Sequence, residues 1–292
     1  FITCQRMGLF PTSTSAFGIS PPCPERRSPL PPQRMTTGMS CARVVKVGVL
    51  GCGNVGAALV ALVAERGAEI EARTGVRLEV AKVAVRSLSR SRPIELGAEV
   101  LTRDAAAVVA DPSIDVIVEV IGGIEPAREL ILAALAAGKP VVTANKELLA
   151  NHGAELFAAA SAGKVDLLFE AAVAGGIPIM RPLRESLVGE DVRRIMGIVN
   201  GTTNFILTRM SEEGASYAAA LAEAQELGYA ERDPTADVEG YDAGAKAAIL
   251  ASIAFGAKVV AGDVYHEGIS NISATDIAFA SRLGYVIKLL AV

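Results

Sequence analysis

The 292 residues are 51% hydrophobic, enough apolar material for two compact domains. A net charge of −4, no tryptophan and 4% aromatic residues argue against nucleic-acid binding, a base-stacking platform or an aromatic carbohydrate groove. No apolar run reaches the ~20 residues of a membrane-spanning helix, so a soluble, cytoplasmic α/β protein without a membrane partner is expected.

The charge is unevenly spread. Residues 1–43 hold seven of the 14 prolines and a net +4 (five Arg, one Glu), which leaves −8 on the remainder. So much Ser, Thr and Pro supports neither a helix face nor an alternating strand, and residues 1–42 are expected to be a disordered leader. Its Arg and Ser content and scarcity of acids fit an organelle transit peptide. Its prolines, and the absence of an amphipathic helix, fit an unstructured leader ahead of a start at Met35 or Met39. All four cysteines (Cys4, Cys23, Cys41, Cys52) lie in the first fifth of the chain, so no disulfide framework or zinc site serving the whole fold is expected.

Val44–Leu50 reads as a buried strand that runs into Gly51-Cys52-Gly53-Asn54-Val55-Gly56, followed by a helix to about Arg73. In Gly-x-Gly-x-x-Gly between strand and helix, Gly51 permits the tight turn, Gly53 lets the backbone approach a pyrophosphate, and Gly56 lets the helix pack on the strand. The helix N-terminal amides, around Asn54 and Val55, then favour an anion. A glycine-rich turn without a ligand is the plainer alternative. Leu78–Val85 is strand-like again and ends at Arg86. No acid occurs there to meet a ribose 2′-hydroxyl, whereas Arg86, Arg90 and Arg92 suit a 2′-phosphate, so NADP(H) is expected over NAD(H), with Arg86 the main contact. Solvated loop arginines would read the same way.

Ile114–Ile121 is the next strand, Pro126 opens a helix that Gly138 ends, Val141–Thr143 is a strand, Lys146–Ala160 a helix and Val165–Phe169 a strand. This alternation predicts a doubly wound parallel sheet of Rossmann type over 43–170. Beyond Glu170 the pattern changes to helices near Met180–Leu187, Phe205–Glu213, Tyr217–Leu227 and Tyr241–Phe255, with a strand near Arg194–Val199. That predicts a mixed α+β domain over 171–292. The chain stops at Val292 in what the pattern reads as mid-helix, the mark of a truncated catalytic region.

Five segments in order carry a resemblance: GVLGCGNVG, VTANKELLA, EAAVAGGIP (Glu170–Pro178), NGTTNFIL (Asn200–Leu207) and GYAERDPTADVEGYDAGAKAAILASIAFG (Gly228–Gly256). From Val44 to Val292 the chain resembles the homoserine dehydrogenases. The resemblance implies NADP(H)-dependent hydride transfer between L-homoserine and L-aspartate 4-semialdehyde, in threonine and methionine biosynthesis, by a homodimer. It implies that Lys246 moves the proton, on an apolar helix of a kind that can lower a lysine pKa, with Asp242 four residues earlier holding it in place. By spacing alone the same pair is a surface ion pair.

The resemblance further implies that Lys146, after the fifth strand, reaches both cofactor and substrate, and that Glu231 and Asp237 hold the substrate ammonium together with Asp242. Gly201 and Thr202 would lie beside the cofactor and the bound amino acid. Capping of a helix fits Thr203 or Asn204 equally well. Backbone carbonyls of Glu170, Val173, Gly175 and Ile177 would bind Na+, although a tight glycine turn accounts for the same residues. No Cys follows Cys52 to serve an acyl-phosphate reductase, and Asn145-Lys146-Glu147 lacks the Glu-Lys-Pro of sugar dehydrogenases. Because family members complete the nucleotide domain near their C-terminus, a catalytically silent NADP(H)-binding module is the alternative.

Overall fold

The computed structural model describes residues 42–292 together with the two short strands Thr3–Gln5 and Phe10–Pro11. The leader expected over residues 1–42 otherwise lies outside the described residues. Six parallel strands form one sheet: β1 (Arg43–Leu50), β2 (Val76–Ala84), β3 (Leu101–Thr102), β4 (Val116–Glu119), β5 (Val141–Thr143) and β6 (Leu167–Leu168). Their order, β3-β2-β1-β4-β5-β6, is that of a doubly wound Rossmann sheet. The crossovers are α1 (Asn54–Thr74), α2 (Ala105–Ala110), α3 (Ala127–Ala136) and α4 (Lys146–Gly163). A central parallel strand is covered on both faces and so must be apolar throughout. Val47, Gly48, Val49 and Leu50 are accordingly all buried. Caps start the helices where short polar side chains stand: Asp104 accepts from the Ala107 amide at 2.8 Å, and Asn145 from the Leu148 amide at 3.1 Å.

The second domain contains α5 (Gly201–Glu212), α6 (Tyr217–Glu226), α7 (Thr235–Val238), α8 (Tyr241–Phe255) and α9 (Ala274–Arg282). Short strands β7 (Tyr265–His266), β8 (Tyr285–Val286) and β9 (Leu290–Ala291) accompany them. Helix α8 lies between two cores. Ile249 and Leu250 join the core built from the sheet, α3 and α4, while Ala243, Ala247 and Ala248 pack with Ile206, Leu207 and Met210 of α5. A helix buried on opposite faces has little room for charge, which makes the lysine and the aspartate it carries conspicuous.

Three expectations need correction. Arg194–Val199 alternates as a strand should, with Ile195, Gly197 and Val199 half-buried and Met196 and Ile198 exposed. Among the described residues it makes only one bridge, Gly197 to Ala291, because no neighbour supplies a full ladder. The helix near Met180–Leu187 is mostly a π turn over Pro182–Ser186. The Leu187 amide reaches back five residues to the Pro182 carbonyl at 2.9 Å, where an α-helix would use the Leu183 carbonyl. Finally, the chain does not stop in mid-helix. Gly284, at φ +79°, turns it out of α9 into a run with short strands at Tyr285–Val286 and Leu290–Ala291. The buried Asn204 amide holds that run, accepting from the Leu289 N–H and donating to its carbonyl, both at 3.1 Å.

Candidate functional site

Because β1, β2, β4 and β5 are parallel and adjacent, the residues after each strand gather along one carboxyl edge of the sheet. Gly51 leaves β1 there at φ +104°, and a side chain on it would meet the Val120 carbonyl oxygen at 2.7 Å. At Gly56 a Cβ would lie 2.3 Å from the Gly51 oxygen, so α1 reaches the loop this closely only with glycine there. Gly53 faces open space, and as the residue before α1 it makes no side-chain cap. The first amides of α1, from Asn54, Val55 and Gly56, are thus left for an anion, and Asn54 and Val55 are exposed. These features fit a dinucleotide pyrophosphate.

On the neighbouring strand Leu50 pairs with Ala84, which brings Arg86 to the same edge, two residues past β2 and exposed. Arg92 is turned away from such a role. Its guanidinium donates to the carbonyls of Ser87, Leu88 and Arg90 and closes the loop.

Lys146 is the first residue of α4, three residues beyond the end of β5. Helix α8 packs along α4, so the starts of the two helices meet. Here the Lys146 ammonium lies 2.5 Å from Asp242 Oδ1, and Lys246 Nζ lies 2.8 Å from Asp242 Oδ2. The Asp242 side chain is 2% exposed and that of Lys246 17%, which rules out the surface ion pair that spacing alone allowed. Lys246 also donates to the Val199 carbonyl at 2.8 Å. Burial opposes ionisation of Asp242. Attraction by Lys246, with hydrogen bonds from Lys146, Lys246 and Asn200, outweighs that and holds the carboxyl below its ordinary value. Lys146 and Asp242 also line a cleft of about 400 Å³ with Glu147, Asn151, Tyr241 and His266.

Asp237, in α7, joins the cluster through Asn200, whose amide donates to Asp237 Oδ1 at 2.7 Å and to Asp242 Oδ2 at 2.8 Å. Gly201 opens α5, and the Thr202 hydroxyl donates to the Tyr229 carbonyl at 2.7 Å, which ties that helix start to the loop before α7. Glu231 is exposed in this loop, where its carbonyl accepts from Gln225 at 3.0 Å. The cap of α5 is Asn200, neither Thr203 nor Asn204, for its Oδ1 accepts from the Thr203 amide at 2.9 Å.

The Glu170 carboxylate accepts from the amides of Ile179, Met180 and Arg181, at 2.5, 2.8 and 3.0 Å, and so fixes the turn that begins the second domain. What the loop can offer a monovalent cation is therefore backbone oxygen, from Val173, Gly175 and Ile177. No group of three or more His, Cys, Asp or Glu side chains among the described residues could hold a metal ion.

Two site-building groups escape a reading by motif. Glu119 is fully buried at the end of β4, where it accepts from the Ile121 and Gly122 amides and from the Thr143 hydroxyl. Asn145 donates to the Gly123 carbonyl at 2.6 Å. Together they lock the loops after β4 and β5 and place Lys146. An acid inside the apolar run IDVIVEVI was the available signal for Glu119. For Asn200 the signal was its position just before a helix.

Two family models match this chain: "Homoserine dehydrogenase, NAD binding domain" over residues 51–170, and "Homoserine dehydrogenase" over residues 178–292. The homoserine dehydrogenase of Corynebacterium glutamicum is 57% identical over 255 residues, which cover 87% of this chain and 57% of that protein. Among solved structures, a homoserine dehydrogenase from Thiobacillus denitrificans superposes with a TM-score of 0.80 at 49% identity, covering 85% of this chain and 57% of the other. A hyperthermophilic archaeal homoserine dehydrogenase in complex with NADPH superposes with a TM-score of 0.68 at 32% identity, covering 80% and 76%. The chain thus spans a little over half the length of the curated relatives it matches.

Proposed function

Since the chain belongs to the homoserine dehydrogenase family, we propose that it interconverts L-homoserine and L-aspartate 4-semialdehyde with NADP(H). The observation that carries this reading is the meeting of Lys146 and Lys246 on one buried carboxylate, at the sheet edge that also holds the glycine loop. NADP(H), when bound, supplies or accepts the hydride.

The chain's own residues do the rest. Amides of Gly53, Asn54, Val55 and Gly56 hold the pyrophosphate, and Arg86 meets the 2′-phosphate that distinguishes NADP(H) from NAD(H). Glu231 and Asp237 hold the substrate ammonium beside Thr202. Asp242 and the Val199 carbonyl take two N–H groups of Lys246, which leaves the third for the substrate oxygen. In reduction Lys246 Nζ delivers a proton to that oxygen as the hydride reaches its carbon, and in oxidation it takes the proton back. Lys146 binds the same oxygen, with its ammonium steadied by Asp242.

A homodimer in threonine and methionine biosynthesis belongs to this reading, as does a structural Na+ on the carbonyls of Glu170, Val173, Gly175 and Ile177. Exposed Ile177, Met196 and Ile198 provide an apolar surface for the dimer. The test is an assay of the full chain with L-homoserine and NADP+. Homoserine-dependent formation of NADPH is the expected result. NADP+ binding without turnover overturns the dehydrogenase reading in favour of a silent binding module.

A further inference from the structure

We infer that Asn200 is a positioning residue of this site, whose single buried amide holds Asp237 and Asp242 in a fixed relation and so aims the two lysines. The inference deepens the dehydrogenase reading and rests on it. Asn200 is 4% exposed, and every polar atom of its side chain is engaged. Oδ1 accepts from the Thr203 amide at 2.9 Å and from the Thr203 hydroxyl at 2.7 Å. Nδ2 donates one hydrogen to Asp237 Oδ1 at 2.7 Å and the other to Asp242 Oδ2 at 2.8 Å.

These partners settle which end of the amide is which, for a nitrogen must face the two carboxylates and an oxygen must face the helix start. They also settle why the residue is asparagine. An aspartate would set a third carboxylate against two others, a serine would cap α5 without reaching the acids, and a glutamine is too long to cap. Lys146 and Lys246 each lie against one oxygen of Asp242, and the amide adds a third hold, on Oδ2. The amide thereby helps to fix the carboxylate plane, and it ties α7, which carries Asp237, to the helix that carries Lys246.

The experiment compares Asn200→Ser and Asn200→Asp with wild type in the full chain, after circular dichroism confirms folding. Asn200→Ser keeps a capping hydroxyl, so it remains informative should the aspartate variant fail to fold. Groups facing Asp242 are Lys146 from α4, Lys246 from its own helix and Asp237 across the amide, while His266 lines the same cleft. In oxidation Lys246 takes the proton, so the acid limb follows the proton state of that lysine, and a displaced limb reports a changed contact between Asp242 and Lys246.

The expected result for Asn200→Ser is a fall in kcat of at least about tenfold, an acid limb of kcat/KM displaced from that of wild type, and NADP+ affinity within about twofold of wild type. Asn200→Asp should fall further. Unchanged kcat and acid limb in Asn200→Ser would overturn the inference. Titration of the Asp242 carboxyl by 13C NMR reads the same bond without turnover, and an upward shift in Asn200→Ser is expected. Inactive wild type with that shift overturns the dehydrogenase reading and leaves the amide's hold on Asp242 standing; no shift overturns the hold itself.

Discussion

At the scale of single residues, the central fact is a buried carboxylate shared by two lysines, Lys246 largely buried and Lys146 partly exposed. A buried carboxylate survives when its charge is compensated, and Asp242 is compensated by the ammonium groups of Lys146 and Lys246 and by the hydrogen bond from Asn200. Removing one member leaves the others unbalanced. Lys246→Ala should therefore lower turnover by about 10²–10⁴-fold, the usual contribution of a positioned proton donor, while NADP+ still binds. Steady-state kinetics beside a cofactor titration would check it, and retained turnover would remove Lys246 from the mechanism. Arg86 stands apart from this cluster at the end of β2. Arg86→Asp should reverse the proposed preference for NADP(H) over NAD(H), read as the ratio of kcat/KM for the two cofactors, and an unchanged ratio would overturn Arg86 as the selecting contact.

At the scale of elements, two close contacts position the site. The first is between α1 and the turn after β1, where Gly56 lies against the Gly51 carbonyl. A Cβ at 2.3 Å from a backbone oxygen cannot be accommodated by a side-chain movement. Gly56→Ala should cost about 1–3 kcal/mol and weaken nucleotide binding, seen in thermal melts with and without NADP+. An equal loss of stability with binding intact would make Gly56 a packing residue alone. The second is between α4 and α8, where Ile249 and Leu250 enter the core of the sheet domain. Ile249→Ala should cost about 2–5 kcal/mol and also impair turnover, because α8 carries both Asp242 and Lys246.

For the whole molecule, pH is the sharper probe. The Asp242 carboxyl titrates below its ordinary value in the folded chain, so it adds stability above the unfolded pKa of about 3.9. That stability is lost as pH falls through the folded value. The difference in denaturation midpoint between wild type and Asp242→Asn should thus be largest near neutrality and shrink below about pH 4. A difference independent of pH would mean that Asp242 contributes by shape and not by charge.

Much of this was readable beforehand, and for identifiable reasons. Val141–Thr143 and Tyr241–Phe255 have the expected bounds, because a short apolar strand beside turn residues and a helix between two left-handed glycines are set by local chemistry. The glycine loop was readable for the same reason, since each glycine answers a constraint from its own neighbours. Local pattern failed where the outcome depends on distant partners. Arg194–Val199 has the alternation of a strand and lacks the ladder. The run ending at Val292 has apolar residues at helical spacing, yet Asn204, 85 positions earlier in sequence, takes both backbone groups of Leu289, and Leu290–Ala291 is a strand.

The site divides along the same line. Residue order and local geometry were enough for a Rossmann sheet, a phosphate-binding turn, and an Asp242–Lys246 pair four residues apart on one helix. Whether that pair lay in solvent or in the interior was decided only by tertiary packing, which buries α8 between two cores. Packing also brought Lys146 and Asn200 to Asp242 from two distant parts of the chain, and Asn200 links Asp242 to Asp237. Spacing along a helix determines which side chains share a face, but what covers that face depends on contacts between residues far apart in sequence, and here those contacts turn an ordinary ion pair into a buried one.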